Sequence, residues 1–393
     1  LIDAARRLTI AALDEGHRPS VISAIMKYHA TERMRRSVEM AMDIHGGKGI
    51  IDGPRNYLGG QHRSVPIGIT VEGANILTRN LMIFGQGAIR SHPYMLEELL
   101  ALSEVDKEKG LDSFDRHFWR HIGHAIANTG RAFLRGWTGG RVGPAPEDAA
   151  MPAHWKQLSR YSAAFALLAD LCLLTLGGAL KRKEMISARL GDILAEIYLL
   201  GAVLKRFEVE GRLEEDRPVV DYIMLQGQGR IAAAFTGVLD NLPARWAAFL
   251  VRFIAFPAGL PDPQPSDRLT GEVAELLTKS PTQRDRLSPD LYLGEGHAEH
   301  ALKDLEAAFA LVTASAPIAK KMREADVDDP REAMEKGVIT ATEMEELARA
   351  KTAADRVIAV DAFPMEDVSP IAAQHRPKKP PRTRRTAQRE AAE

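Results

Sequence analysis

A single carboxylate stands in an apolar stretch of the chain, a position in which it could act as a base. The segment GITVEGANI spans residues 68–76, and its Glu72 has no lysine close to it in the sequence. Burial in such a stretch makes a carboxylate a stronger base than it is in water. Gly73 has no side chain and leaves room for another group to approach the backbone. The segment therefore predicts a buried general base beside an accessible backbone.

A glycine cluster lies upstream of that segment. Residues 43–49 read DIHGGKG and end a helical pattern. One glycine there is well explained as a helix stop, because glycine readily adopts the left-handed conformation that ends many helices. A helix stop explains the second adjacent glycine less well. Gly46 and Gly47 are therefore candidates for a site at which the backbone meets a ligand.

Two other patterns suggest binding sites less strongly. His117, His121 and His124 share one face of a predicted helix, a spacing that can bind a metal ion. No cysteine or carboxylate cluster accompanies them in the sequence, so we predict no metal site. The stretch GGRVG at residues 139–143 lacks the lysine and the preceding strand of a phosphate-binding loop, and it is predicted to be a linker.

The elements that position these residues are predicted to be helices throughout. Apolar residues recur at helical spacing, and no run alternates with the period of a strand. Gly16 ends the first helix, Pro19 begins the second, and glycines and prolines in residues 46–68 predict a loop. The third helix begins near Gly73 and continues to about Ile89. Further helices are predicted within 94–112 and over 114–137, 153–180, 182–210, 218–240, 267–279 and 297–314, with two or three short ones in 316–357. The predicted fold class is all-α.

Composition limits the possible classes of protein. A chain of 393 residues can bury two cores, so two domains are predicted. The formal net charge of −1 predicts no nucleic-acid partner for the molecule as a whole. The single Cys172 excludes a disulfide framework and fits a reducing compartment. The chain begins inside an amphipathic pattern, so we expect it to be part of a longer protein.

Two segments bear on membrane association. Residues 163–180 read AAFALLADLCLLTLGGAL, with one charge at Asp170. A central aspartate costs roughly 2.5–3.5 kcal/mol on insertion into a membrane, so a buried helix of a soluble bundle is favoured over a membrane span. The tail over 375–393 mixes basic residues with prolines and is predicted to be disordered. Attraction of this tail to anionic lipid or nucleic acid is the alternative.

The order of HGGKG at 45–49, VEGAN at 71–75 and then Arg79 resembles the C-terminal half of an FAD-dependent acyl-CoA dehydrogenase. The chain is most similar to the large bacterial type of fatty-acid β-oxidation, which has a second helical domain after the catalytic one. KRKEMISARLGDILAEIYLL and PSDRLTGEVAELL resemble that second domain. The resemblance implies a partial catalytic helical domain over 1–105 and an appended helical domain over 113–370, with only the tail outside it.

The resemblance also implies a reaction and its base. Members of the family oxidise a saturated acyl-CoA to the trans-2-enoyl-CoA, and a medium- to long-chain substrate is expected here. Glu72 occupies the position of the base that removes the α-proton, while FAD accepts the hydride. Gly73 is expected to border the thioester. Arg79 matches a family arginine that either orients the base loop or makes a helix contact.

The resemblance also implies contacts to FAD, but not every residue at these positions suits such a contact. Gly46 and Gly47 correspond to the backbone that lies against the FAD pyrophosphate in relatives. His45, Asp43 and Ala74 fall at neighbouring contact positions. Asp43 replaces a glutamine of many relatives, and an unpaired carboxylate would repel a phosphate. Ala74 replaces a threonine, so one expected hydrogen bond to the flavin is absent or comes from another residue.

Partners and location follow from the same resemblance. An electron-transferring flavoprotein or an equivalent acceptor is expected to take the electrons, and a homo-oligomer is expected. The predicted location is cytoplasmic, with peripheral contact at the inner membrane as an open alternative. The family's other domains would complete the FAD site, so we expect this chain alone to be inactive and its Glu72 to be solvated. The alternative function is a noncatalytic helical module for membrane docking or dimerisation.

Overall fold

The computed structural model of the chain describes residues 1–87, 92–279, 281–289, 291–292 and 301–368. Regular structure within these ranges is helical and includes no β-strand, as predicted. The helices of the first part are α1 Ile2–Asp14, α2 Ser20–His45, α3 Gly47–Ile50, α4 Tyr57–Thr70 and α5 Asn75–Leu77, which continues as a π-helical segment, Thr78–Gln86. They are followed by α6 Met95–Leu102, α7 Lys107–Trp137, α8 Pro152–Leu176, α9 Glu184–Val209, α10 Arg217–Asn241 and α11 Arg245–Ala255. The last helices are α12 Asp267–Lys279, α13 Pro281–Leu287, α14 Ala301–Glu324, α15 Pro330–Glu335, α16 Ala341–Ile358 and α17 Met365–Val368.

The chain divides into two compact units. Unit 1 consists of residues 1–38 and 62–292, and unit 2 consists of residues 39–61 together with the chain from 293 onward. Glu72 belongs to unit 1 and the glycine cluster to unit 2. The predicted division into 1–105 and 113–370 stays a prediction.

The core of unit 1 is built around α9. This helix packs against α10, α8, α1 and the π-helical segment. Its buried residues lie on most sides of the helix, as expected of a helix that is apolar all round. Leu190, Ile193, Leu199 and Leu200 are fully buried there. The segment that follows Glu72 is therefore anchored on the most buried helix of the unit.

The apolar stretch predicted to be a core helix lies in unit 1. Among the described residues, Pro152–Arg182 is the one helical segment long and apolar enough to span a membrane, and its most apolar window has a mean hydropathy of 2.0. Of that window, 44% is buried inside the protein. Asp170 faces polar groups, because its carboxylate contacts His92 Nε2 at 3.3 Å and Asn128 Nδ2 at 3.5 Å. These observations agree with the prediction of a core helix.

Unit 2 has a small core of its own. Helices α14 and α16 pack along each other, and Ile318, Met322 and Ile339 are buried between the elements of this unit. Helix α16 begins with a capping box in which Thr340 accepts from the Glu343 backbone and the Glu343 side chain accepts from the Thr340 backbone.

One segment differs from its prediction. Residues 46–68 were expected to form a loop but contain α3 and most of α4. Glycines and Pro66 lower the helix propensity of this stretch. However, Val65 and Ile69 stand one helical turn apart and are both buried, so packing outweighs local propensity. The predicted helix end at Ile89 lies outside the described residues, as do the tail and residues 297–300 of a predicted helix.

Candidate functional site

Glu72 lies in a short loop between α4 and α5. Its backbone has φ +51°, and Gly73 follows with φ +87°. A left-handed conformation is uncommon for a glutamate and, when it is held in place, often marks a functional position. Glu72 is exposed, and among the described residues its carboxylate makes no hydrogen bond or ion pair. The loop therefore presents this carboxylate to the outside of the chain.

The apolar stretch around Glu72 predicted that this residue is buried, and this prediction is wrong for the structure of this chain. Its apolar neighbours Val71, Ile76 and Leu77 are 50%, 72% and 46% exposed. The loop is tied to α2 through its backbone and through Asn75, which leaves these side chains at the surface. Solvation of Glu72 agrees with the expectation for a chain that contains part of a larger site. An exposed apolar rim around one carboxylate is a surface suited to being covered.

Lys27 on α2 donates hydrogen bonds to the loop that bears Glu72. Its Nζ donates to the Gly73 carbonyl at 2.7 Å and to Asn75 Oδ1 at 2.6 Å. Thr78 Oγ1 also donates to the Gly73 carbonyl, at 3.2 Å. The ammonium thus binds the backbone that follows Glu72 and leaves the Glu72 carboxylate unpaired. It stabilises the left-handed turn without neutralising the candidate base.

Asn75 anchors the start of α5. It is 2% exposed, and its Nδ2 donates to Thr31 Oγ1 at 2.9 Å and to Glu32 Oε1 at 2.8 Å. Together with the bond from Lys27, the whole amide of Asn75 is satisfied within the protein. The loop that bears Glu72 is therefore fixed at its C-terminal end by buried hydrogen bonds.

Arg79 makes a helix contact, which decides between the two alternatives for this residue. Its Nε and one terminal nitrogen donate to the two carboxylate oxygens of Asp192, at 2.8 and 2.5 Å. This two-point geometry is the strong form of an arginine–carboxylate pair. The hydrogen bond to Asp192 raises the pKa of Arg79. Arg79 thereby joins the π-helical segment to α9 and does not reach the loop itself.

The backbone of the glycine cluster in unit 2, Gly46 and Gly47, is accessible from outside the protein. Gly46 has φ +54°, and nothing lies within 4 Å of the position that its Cβ would occupy. A side chain at Gly47 would make only ordinary contact with Val360, at 3.9 Å. Gly49 is required for a different reason, because a Cβ there would lie 3.1 Å from the Met42 backbone. Gly46 and Gly47 are thus exposed and accessible, which fits close approach of a pyrophosphate.

The residues beside the glycines fit a cofactor less well. Asp43 is exposed and, within the part of the chain that the structure describes, has no cationic partner. His45 uses both ring nitrogens inside unit 2, because Nδ1 contacts the Ala41 carbonyl at 2.7 Å and Nε2 contacts the Tyr57 hydroxyl. Ala74 caps α5 and offers no side-chain hydrogen bond. The cofactor contacts of these three residues stay predictions.

A cluster of histidines and carboxylates lies elsewhere in unit 1. His121 Nδ1 contacts Glu98 Oε1 at 2.9 Å, and the rings of His121 and His92 lie 4.5 Å apart. His92, His121 and Asp170 each direct one potential ligand atom into a region in which these atoms lie within 4.8 Å of one another. The sequence shows no carboxylate cluster beside His117, His121 and His124, whereas the fold brings Glu98 and Asp170 close to His121. Asp170 comes from α8, far from them in sequence.

Hydrogen bonding assigns the proton of His92 and disfavours a metal site. The backbone N–H groups of Tyr94 and Met95 both donate to His92 Nδ1 at 3.2 Å. Neutral His92 then carries its proton on Nε2, which donates to Asp170 and has no lone pair for a metal. Nearby, burial lowers the pKa of His124. The arrangement is a hydrogen-bonded cluster, and the absence of a metal stays a prediction.

Some site residues could not be identified from the sequence. No local pattern indicates that Lys27 supports the loop or that Asp192 binds Arg79, because the partners are 46 and 113 residues apart.

Comparison with known protein families accounts for most of the chain. Residues 2–84 match the family described as acyl-CoA dehydrogenase, C-terminal domain. Residues 89–363 match acyl-CoA dehydrogenase, C-terminal, bacterial type. No solved structure matches the chain.

Proposed function

Because the chain belongs to the acyl-CoA dehydrogenase family, we propose that it is the C-terminal part of an FAD-dependent enzyme that oxidises a saturated acyl-CoA to the trans-2-enoyl-CoA. Enzymes of this family are FAD oxidoreductases that act on acyl-CoA thioesters. We propose further that Glu72 is the base of this reaction and that the reaction belongs to fatty-acid β-oxidation.

The proposal rests mainly on the left-handed backbone conformation of Glu72. Among the described residues, its carboxylate is unpaired and stands on a left-handed turn, with exposed apolar residues around it and a partly buried hydrogen bond from Lys27 to the next carbonyl. A carboxylate that only capped a helix would need neither this turn nor the bond from Lys27 to the next carbonyl. When further segments cover the apolar rim, water is excluded and the carboxylate becomes a stronger base.

The chain's own residues then have separate tasks. Glu72 removes the α-proton of the thioester onto one of its carboxylate oxygens. Lys27 and Asn75 hold the turn so that this oxygen keeps its position. Gly46 and Gly47 provide the open backbone that would border the FAD pyrophosphate, and bound FAD would supply the acceptor for the β-hydrogen. Asp43, which is unpaired, does not support a phosphate contact at its own position.

We propose further that the substrate has a medium- to long-chain acyl group, that an electron-transferring flavoprotein or an equivalent acceptor takes the electrons, and that the enzyme is a homo-oligomer. We also propose a cytoplasmic location, which fits the single cysteine of the chain. The domain limits of 1–105 and 113–370 remain part of the same proposal. The complete protein, assayed against acyl-CoA thioesters of increasing length, should bleach its flavin with the longer chains. The 393-residue chain with added FAD should reduce no artificial electron acceptor.

A second role, docking to an anionic membrane, is favoured by one surface of unit 1. On α7 and α11, Trp137, Trp246, Phe249 and Phe253 are 51%, 58%, 68% and 50% exposed. Trp137 and Phe249 each contact Phe253. A group of exposed aromatic residues suits a membrane interface. Replacing Trp246 and Phe249 by serine should lower binding to vesicles that contain anionic lipid. Binding equal to that of the unchanged protein would exclude this surface as the docking site.

A further inference from the structure

An arginine-lined pocket of about 550 Å³ opens in unit 1. Its walls come from α2, the π-helical segment, α9 and α10. The basic residues in the lining are Arg33, Arg36, Arg79, Arg189 and Arg230. None of these arginines belongs to the loop that carries Glu72.

The pocket carries an excess of positive charge. Five arginines face three carboxylates, those of Glu32, Asp192 and Glu196. Asp192 is held by Arg79, and Glu196 accepts hydrogen bonds from Arg33 at 3.0 Å and from Arg230 at 2.8 and 3.1 Å. Glu32 accepts from the Asn75 amide. All three carboxylates are thus committed, and two guanidinium charges are left over.

Two of the five pocket arginines, Arg36 and Arg189, have no partner within the part of the chain that the structure describes. Among the described residues, neither of them makes a hydrogen bond or an ion pair. Arg189 lies against Gly237, where a Cβ would be 2.7 Å from its Nε, so the glycine makes room for the guanidinium. These two side chains are therefore available to a ligand without breaking any existing pair.

Two residues that line this pocket, His29 and Arg33, each contain a buried polar nitrogen. His29 is 8% exposed and lines the pocket, and its Nε2 has no hydrogen-bond partner among the described residues. The Nε of Arg33 is likewise buried without a partner. Burial lowers the pKa of His29 to about 4, with the nearby Arg33 acting in the same direction. The imidazole is therefore neutral at pH 7 and can donate a hydrogen bond from Nε2. Buried polar atoms without a partner are rare in folded proteins, so each of them calls for an explanation.

We propose that this pocket binds a phosphate dianion, either free orthophosphate or the phosphate monoester of a larger metabolite. Two unpaired guanidiniums match its charge, and the planar fork of arginine matches the spacing of phosphate oxygens. Neutral His29 and the partly buried Arg33 complete the lining beside these two guanidiniums. The proposal goes beyond the dehydrogenase activity and does not depend on it, because binding is measured on the chain without flavin or substrate.

Calorimetric titration of the chain with sodium phosphate, against sodium chloride of equal ionic strength, tests this directly. Arg36→Gln and Arg189→Gln should each weaken binding by about tenfold, the usual effect of losing one charge-assisted hydrogen bond. Arg35→Gln is the matched control, because Arg35 lies on the same helix and outside the pocket lining. Both pocket variants should fold, since neither arginine has a partner to lose. No heat with phosphate, or an equal loss in Arg35→Gln, would overturn the proposal.

Two further measurements locate the ligand and identify its source. Phosphate should shift the imidazole NMR signals of His29 but not those of the exposed His17; a shift at neither or at both would contradict binding in this pocket. Adenosine 3′,5′-bisphosphate serves as the monoester probe. Affinity at least about tenfold above that of orthophosphate would assign the site to a larger metabolite, and equal or lower affinity to orthophosphate. Binding of neither probe would refute the proposal.

Discussion

Lys27→Met should weaken both the fold and the candidate active site, because this lysine holds the loop that presents Glu72. The ammonium donates to the Gly73 carbonyl at 2.7 Å and to Asn75 Oδ1 at 2.6 Å. Methionine has a similar length and keeps the apolar stem, so the substitution removes mainly the charge and its donors. Asn75 is 2% exposed, and its oxygen would be left without this donor.

The size of the effect follows from these contacts. A hydrogen bond to a charged group contributes about 1.5–3 kcal/mol. Lys27 is only half-buried, and Thr78 still donates to the Gly73 carbonyl, so the lower end of that range applies to each bond. We therefore expect the free energy of unfolding to fall by about 3 kcal/mol. In the complete enzyme, misplacement of Glu72 by about 1 Å should lower turnover by about 10²-fold.

Urea unfolding followed by circular dichroism measures the first effect, and flavin reduction by acyl-CoA in the complete enzyme measures the second. Lys205→Met is the matched control, because Lys205 is exposed on α9 and has no partner among the described residues. That control should change the unfolding free energy by less than about 0.5 kcal/mol. If Lys27→Met changes it no more than the control does, the loop is not held as described.

Three more predictions concern unit 1. Glu196→Gln should cost about 3 kcal/mol in unfolding free energy, because the carboxylate is 3% exposed and pairs two guanidiniums; a loss below about 1 kcal/mol would contradict this. His29 has its pKa lowered from 6.5 to about 4, so the unfolded chain binds more protons between these pH values and stability falls as the pH falls through that window. Urea unfolding should show a loss of about 2 kcal/mol from pH 7 to pH 5, and His29→Gln should reduce that loss. Burial raises the pKa of the Cys172 thiol to about 12, so an aromatic disulfide reagent at pH 8 should react only after unfolding.

Local patterns were sufficient to predict the helical architecture. Apolar spacing and glycine or proline signals located α1, α2 and the long helices of unit 1, because a helix depends mainly on residues within a few positions of one another. The same signals failed over residues 46–68. There Val65 and Ile69 are buried by packing, which local propensity does not report.

The identity of the candidate base stays a prediction, and its surroundings differ from those that the sequence suggested. The motif indicated Glu72, but its apolar neighbours suggested burial, whereas the loop holds them at the surface. Lys27 and Asp192 were missed because their partners are distant in the chain and meet only after packing. The same is true of Asp170, which joins His92 from another helix. Side-chain pairs of this kind depend on how helices pack, and one sequence does not specify that.

The central claim, that Glu72 is the α-proton base, is tested most directly by Glu72→Gln in the complete flavin-containing enzyme. Gln keeps the size and shape of the side chain but cannot accept the proton. We expect the variant to retain flavin and to bind acyl-CoA, while flavin bleaching by substrate slows by at least about 10³-fold. Glu97→Gln, at an exposed position on α6, should leave the rate unchanged. Bleaching of the Glu72→Gln flavin at a rate near that of the unchanged enzyme would contradict the assignment.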